Sequence, residues 1–271
     1  MAGESCGSGR GKVRARDIVG AKGRGRLVMV TAYDYPTALA VDRAGVDSIL
    51  VGDSLGMVVL GLDSTLQVTM EDMVRHTAAV ARARPCAFLV ADMPFMSYEP
   101  SASRAVESAG LLVRAGAEAV KLEGGSEYAD RVRAIVNAGI PVVGHVGLTP
   151  QRMHRLSGYR RQGKTESEAS RLLEDARSLE EAGAIAVVIE YTKADVARMI
   201  TERLSIPTIC IGSGPYCDGQ VLVLHDIIGL STFTPPFAKR YADAMGLIVD
   251  AVSRFASEVR SGAFPGPEHY K

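Results

Sequence analysis

The sequence predicts a single (β/α)8 barrel of the TIM type, and three observations carry the prediction. Short, nearly continuous apolar runs recur eight times from about residue 27. Four to six apolar residues in succession is what a strand buried on both faces of a parallel sheet requires. Stretches of helical period, rich in Ala, Arg and Glu, separate these runs, which is strand–helix alternation. The length of 271 residues suits one barrel of about 250 residues, and no linker-like segment interrupts it. A doubly wound open sheet is the alternative, but its G-x-G-x-x-G turn does not follow the first run.

In chain order, residues 1–12 are rich in Gly and Ser and lack an apolar stretch. They are expected to form a flexible basic tail, with one catalytic barrel over 13–271. Strands are expected at Leu27–Thr31, Ser48–Val51, Ala87–Ala91, Ala119–Leu122, Pro141–Gly144, Ala186–Ile189, Thr208–Ile211 and Leu222–Asp226. Thr69 has the character of a helix N-cap, with Glu71 and Asp72 in the first turn before Met73, Val74, Ala78 and Val80. Further helices are expected at Ser101–Arg114, Ser126–Ala138, Glu166–Ala182, Ala194–Arg203 and Ala238–Val259. Three of them run into Ala-Gly (Ala115-Gly116, Ala138-Gly139, Ala182-Gly183), which suits a left-handed cap before the next strand.

Composition narrows the function classes. The 31 basic and 31 acidic side chains balance, which argues against a nucleic-acid partner. Residues 1–26 nevertheless carry a net +5, so a basic RNA-binding arm is a competing reading of that segment. No apolar run approaches the roughly 18 residues of a membrane helix. Cys6, Cys86, Cys210 and Cys217 show no C-x-x-C spacing, so reduced thiols in a cytoplasmic protein are expected and a zinc site is not.

The chemistry is concentrated where strands end. Asp53-Ser54 follows the second run, Asp92 the third, Glu123 ends the fourth, His145 the fifth and Glu190 the sixth. In a barrel these ends converge on one rim, where active sites form. Lys121 and Glu123 are two residues apart and therefore point the same way. Any one of these groups serves equally well as a helix cap or an ion-pair partner. Together, four carboxylates on one rim repel each other unless a cation sits among them. Hard oxygen donors favour Mg2+ or a similar divalent ion. Ile211-Gly212-Ser213-Gly214-Pro215 suits either a phosphate loop or a tight turn. The basic loop Gly158–Lys164 suits either a cover for the site or a solvated surface.

Six segments, in order, resemble the ketopantoate hydroxymethyltransferase family. They are Thr31-Ala32-Tyr33-Asp34-Tyr35, Val51-Gly52-Asp53-Ser54-Leu55-Gly56-Met57, Ala91-Asp92-Met93-Pro94-Phe95, Val120-Lys121-Leu122-Glu123-Gly124-Gly125, Gly144-His145-Val146-Gly147-Leu148-Thr149-Pro150-Gln151 and Cys217-Asp218-Gly219-Gln220-Val221-Leu222. The resemblance implies a barrel of the phosphoenolpyruvate/pyruvate-like superfamily. It implies transfer of a hydroxymethyl group from 5,10-methylenetetrahydrofolate, or a related pterin, to 3-methyl-2-oxobutanoate. The product is 2-dehydropantoate, made in pantothenate biosynthesis through a Mg2+-stabilised enolate. It implies Asp53, Asp92 and Glu123 at the metal, with Asp53, Ser54, Asp92, Lys121 and His145 at the 2-oxo acid. Glu190 falls on the family's catalytic base. Family members are large cytoplasmic homo-oligomers. The sequence departs from the family pattern at Tyr191-Thr192-Lys193 after the base, and at Ser213 in place of Ala. The competing readings are a Mg2+-dependent lyase or mutase of a 2-oxo or 2-hydroxy acid on the same barrel, and a non-catalytic scaffold.

Overall fold

The computed structural model describes residues 10–155 and 158–270. The expected tail over residues 1–9 lies outside the described residues. Of residues 10–12, also expected in the tail, Arg10 and Lys12 are tied to the barrel, contrary to expectation. Arg10 donates to the Asp42 backbone carbonyl at 2.9 Å and pairs with its carboxylate. Lys12 donates to the Ala87 carbonyl at 2.8 Å and pairs with Glu118. Charge partners on the barrel thus order what composition alone assigns to a frayed end.

Eight parallel strands close into a barrel in the order β1 to β8. They are β1 Leu27–Thr31, β2 Ser48–Val51, β3 Phe88–Asp92, β4 Ala119–Glu123, β5 Val142–Gly147, β6 Ala186–Glu190, β7 Thr208–Ile211 and β8 Gly219–Leu222. Closure is made by β8 against β1, with Leu27 opposite Gly219 and Val30 opposite Leu222. The expected eighth strand at Leu222–Asp226 is therefore placed too late, and Leu224–Ile228 is a helix. Glycine explains the shift: a Cβ on Gly219 would lie 2.7 Å from the Leu27 carbonyl oxygen, so only glycine lets β8 approach there.

Helix boundaries follow their caps. Thr69 accepts from the Asp72 amide, Ser101 from the Arg104 amide and Thr165 from the Glu168 amide, starting helices Met70–Ala81, Ala102–Arg114 and Glu166–Glu181. The expected helix Ser126–Ala138 begins instead as a single 3-10 turn before Ala129–Asn137. Helix Tyr35–Arg43, which the apolar pattern does not announce, is started by Asp34 accepting from the Thr37 amide.

Period-two alternation organises the interior. Phe88 and Val90, Ala119, Val143, Ala186 and Val188 join one buried cluster inside the barrel. Continuing the same faces by steps of two reaches Asp92, Lys121 and Glu123, His145 and Glu190. The apolar core therefore fills one end of the barrel, where Ile18 of helix Ala15–Gly20 joins it. The charged groups occupy the other end.

The chain divides into two compact units, through Val223 and from Leu224, a division the alternating pattern does not reveal. The second holds helix Leu224–Ile228 and helix Ala244–Ser261, the latter started by Asp243 accepting from Gly246. That cap sets the start six residues after the expected Ala238. No residue of Ala244–Ser261 is buried. No helix among the described residues is long and apolar enough to cross a membrane.

The reduced-thiol expectation is also corrected. Cys210 on β7 and Cys217 before β8 form a disulfide, with their Cα atoms 5.7 Å apart, and no described cysteine is free. Neighbouring strands bring residues seven apart within bridging distance.

Candidate active site

The barrel brings the expected site residues together. Register sets Asp92 beside Lys121, Glu123 beside His145 and Gly147 beside Glu190. Asp53 follows β2, and its backbone N–H donates to Asp92 Oδ2 at 3.0 Å. Gly52 permits this approach, since a Cβ there would lie 2.8 Å from Ser54 Oγ and 3.5 Å from Asp92 Oδ2. On the far side, Gly147 has φ 98°, and a Cβ would come within 2.3 Å of the Glu190 carbonyl oxygen. Two glycines thus let the carboxylate-bearing strand ends crowd the mouth.

Lys121 sets a positive charge among these carboxyls. Lys121 Nζ pairs with Asp92 Oδ1 at 3.0 Å and lies 3.2 Å from His145 Nδ1. Burial opposes the lysine charge, but Asp92, Glu123 and Asp53 outweigh it and hold Lys121 charged, above the ordinary lysine range. Lysine only donates, so His145 Nδ1 is the accepting nitrogen and Nε2 carries the proton. That Nε2 lies 3.3 Å from Glu190 Oε2, and Nδ1 is 3.6 Å from Glu123 Oε1. Burial and then the Lys121 charge push His145 well below the ordinary histidine range, so it is neutral.

The carboxyls move the other way. Burial raises Asp53 to about 7, helped by the Asp92 charge and opposed by Lys121. Burial likewise raises Glu190 to about 7, with Lys121 pulling it down. Burial and the Asp53 charge hold Glu123 well above the usual carboxylate range. Glu190 keeps 16% of its side-chain surface exposed, the most open of these groups, as a base meeting a substrate must be.

Ser54 is held by Tyr33, whose buried hydroxyl lies 2.8 Å from Ser54 Oγ. Among the described residues, no three Asp, Glu, His or Cys side chains gather as a ready metal cage. The oxygens are tied back individually: Asp53 by Gln151, Glu123 by the Gln151 amide, Asp92 by Lys121 and the Asp53 amide. The adjacent Asp53 and Asp92 fit a cation that takes one or two carboxylates and completes its shell with water and substrate oxygens, as Mg2+ does. Burial, and then the Asp92 charge, lift Asp53 at the same place.

Sequence reasoning passed over several supporting residues. Gln151 and Tyr98 are buried among the carboxylates, but an amide and a phenol carry no signal in an apolar pattern. Ser213, at a departure from the family pattern, is buried; its hydroxyl donates to the Ile189 carbonyl at 2.8 Å and accepts from the Thr192 amide at 2.9 Å. The glycine-rich loop is thus a turn that braces the Glu190 strand end. Tyr191, directly after Glu190, sits at φ 42°, rare for a residue with a side chain. The basic loop is joined to this point: Gln162 N–H donates to the Tyr191 carbonyl, and the Arg161 guanidinium lies 5.2 Å from the Tyr191 ring centre. Tyr159 on the same loop is raised by burial and by the charges of Glu190, Asp53 and Glu123.

Known proteins resemble this chain in sequence and fold. The model of the ketopantoate hydroxymethyltransferase family matches residues 12–267. The chain is 67% identical over 264 residues to 3-methyl-2-oxobutanoate hydroxymethyltransferase of Hyperthermus butylicus, covering 97% of this chain and 92% of that one. It is 65% identical over 258 residues to the Aeropyrum pernix protein of the same name, covering 95% and 94%. Among solved structures, phosphonopyruvate hydrolase in complex with oxalate and Mg2+ superposes with TM-score 0.62 at 16% identity, covering 94% of this chain and 92% of that one. 2,3-Dimethylmalate lyase, of the phosphoenolpyruvate mutase/isocitrate lyase superfamily, gives 0.59 at 19%, covering 93% and 89%. The structural likeness establishes the barrel fold.

Proposed function

Because the chain belongs to the ketopantoate hydroxymethyltransferase family, we propose that it transfers a hydroxymethyl group to 3-methyl-2-oxobutanoate, giving 2-dehydropantoate for pantothenate synthesis. The one-carbon donor in this reading is 5,10-methylenetetrahydrofolate or a related pterin. Glu190 takes the proton from carbon 3 of the oxo acid, and that carbon bonds to the donor's one-carbon unit. Water supplies the hydroxyl oxygen as the reduced carrier leaves.

Asp53 and Asp92 would hold a divalent cation such as Mg2+, with Glu123 beside them. When bound, the cation would supply Lewis-acid polarisation of the 2-oxo group, an effect worth several kcal/mol. Lys121, fixed by Asp92, offers a positive charge to the substrate carboxylate. The Ser54 hydroxyl, oriented by Tyr33, offers a hydrogen bond to it. Neutral His145 sets its Nε2 3.3 Å from Glu190 Oε2, beside the base. Burial keeps Glu190 near neutrality, where it both accepts and releases a proton at physiological pH.

The observation that carries this reading is Glu190, held near pH 7 and facing the Asp92–Lys121 pair across the same barrel mouth. Glu190→Gln is expected to bind the oxo acid but to lose exchange of its carbon-3 hydrogen with deuterated water, followed by NMR. Undiminished exchange removes Glu190 as base. The lyase or mutase reading shares only the barrel with this chain.

A cytoplasmic setting and a large homo-oligomer belong to the same proposal. Helix Ala244–Ser261, with no buried residue in the single chain, is the segment such an assembly would cover. Sedimentation of the purified protein as a monomer would remove the oligomer from it.

A further inference from the structure

Gln151 lies on the 3-10 turn Pro150–Arg152 after β5 and is 3% exposed. Its side-chain Nε2 donates to Asp53 Oδ2 at 2.8 Å and to the Met93 carbonyl at 3.0 Å. Its Oε1 faces the Tyr98 hydroxyl at 2.9 Å, and its backbone N–H donates to Glu123 Oε2 at 3.0 Å. One residue therefore holds one oxygen of each of two carboxylates that come from different strands.

The orientation of the amide is determined by its neighbours. Turning it over would aim the Gln151 carbonyl oxygen at two acceptors, Asp53 Oδ2 and the Met93 carbonyl. Tyr98 is itself buried, and its hydroxyl also meets the Glu123 backbone: it lies 2.9 Å from the carbonyl oxygen and accepts from the N–H at 3.3 Å. Tyr98, Gln151, Asp53 and Glu123 thus form one continuous polar network. Because Gln151 is uncharged, it steadies the carboxylates without neutralising them. A lysine at this place would compete with a cation; glutamine leaves Asp53 Oδ1 and the negative charge available.

We propose that Gln151 is the positioning residue of the cation site: it sets the rotation of the Asp53 carboxylate and the separation of Asp53 from Glu123, so that the ion meets a prearranged oxygen. The proposal rests on the reading of Asp53 and Asp92 as cation ligands. It extends that reading to a residue which would touch neither ion nor substrate. Hydrogen-bond partners standing behind metal ligands typically carry about 10- to 100-fold in affinity.

The test is a titration of the metal-free protein with Mn2+, with free Mn2+ read by electron paramagnetic resonance and no turnover required. Gln151→Met keeps the side-chain length and removes the amide; it is expected to weaken Mn2+ binding about 10- to 100-fold. Thermal unfolding of the metal-free variant separates this from a purely structural role, which would lower Tm and leave Mn2+ affinity intact. A folded Gln151→Met protein with wild-type Mn2+ affinity overturns the proposal. Should that variant not fold, Tyr98→Phe decides: weaker Mn2+ binding supports the network, and unchanged binding overturns it. Wild-type protein that takes up no Mn2+, or Asp53→Asn that takes it up normally, overturns the cation site itself. Normal behaviour of both, together with an unaltered Gln151→Met, defeats only the role of Gln151.

Discussion

Glu190 and His145 show how much one residue's environment decides. A glutamate in water is ionised at neutral pH, but burial here brings Glu190 to about 7. The base is therefore half protonated near pH 7 in the free enzyme. The rate of oxo-acid exchange at low substrate should rise through about pH 7 and level above it. Lys121, held charged above its ordinary range, produces no falling limb in the neutral region. A profile flat from pH 5 to 8 would assign proton removal to another group. The histidine contributes no charge, because burial and then the Lys121 charge beside its Nδ1 keep it neutral.

At the level of elements, two features of β5 to β8 hold the base in place. Gly147 at φ 98° lets β5 pass against the Glu190 backbone. Gly147→Ala adds a Cβ where the Glu190 carbonyl oxygen already stands, in a backbone region that disfavours side chains. It should abolish exchange while leaving the rest of the barrel folded, as checked by NMR exchange alongside circular dichroism. The β7–β8 connection is closed by Cys210–Cys217 and braced by Ser213 against Ile189 and Thr192. Opening a loop this short should cost about 2 kcal/mol of stability by the loss of chain-entropy restraint on the unfolded state. Cys217→Ser should therefore show a lowered Tm. An unchanged Tm in that variant would mean that the bridge contributes nothing to the folded state.

For the whole molecule, the site is a source of instability in the metal-free protein. Asp53 and Glu190 are raised to about 7, from 3.8 and 4.5 respectively. Between about pH 4 and pH 7 the folded state binds protons that the unfolded chain has already released. Stability contributed by these groups is thus fullest at acid pH and is lost as pH rises to about 7. The Tm of metal-free protein should fall from pH 5 to pH 8, less so for Asp53→Asn, and added Mg2+ should reduce the fall. A Tm that climbs over that range would contradict the raised carboxyls. The barrel tolerates such a site because its opposite end is filled by apolar residues that carry the fold.

What the sequence determines by itself is the order of elements and the identity of the charged groups. Eight apolar runs announce the strands, because burial on both faces forces near-continuous hydrophobicity. Asp53, Asp92, Lys121, Glu123, His145 and Glu190 stand out as polar residues ending those runs. Tertiary structure alone decides three things. It places β8 at Gly219–Leu222, since the close approach to Leu27 depends on a residue far away in the chain. It pairs Cys210 with Cys217, since strand adjacency sets their separation. It recruits Gln151, Tyr98 and Ser213, whose roles are hydrogen bonds with partners distant in the chain. Hydrophobic period is local and survives in one dimension, whereas a hydrogen bond has direction and exists only once both partners are in place.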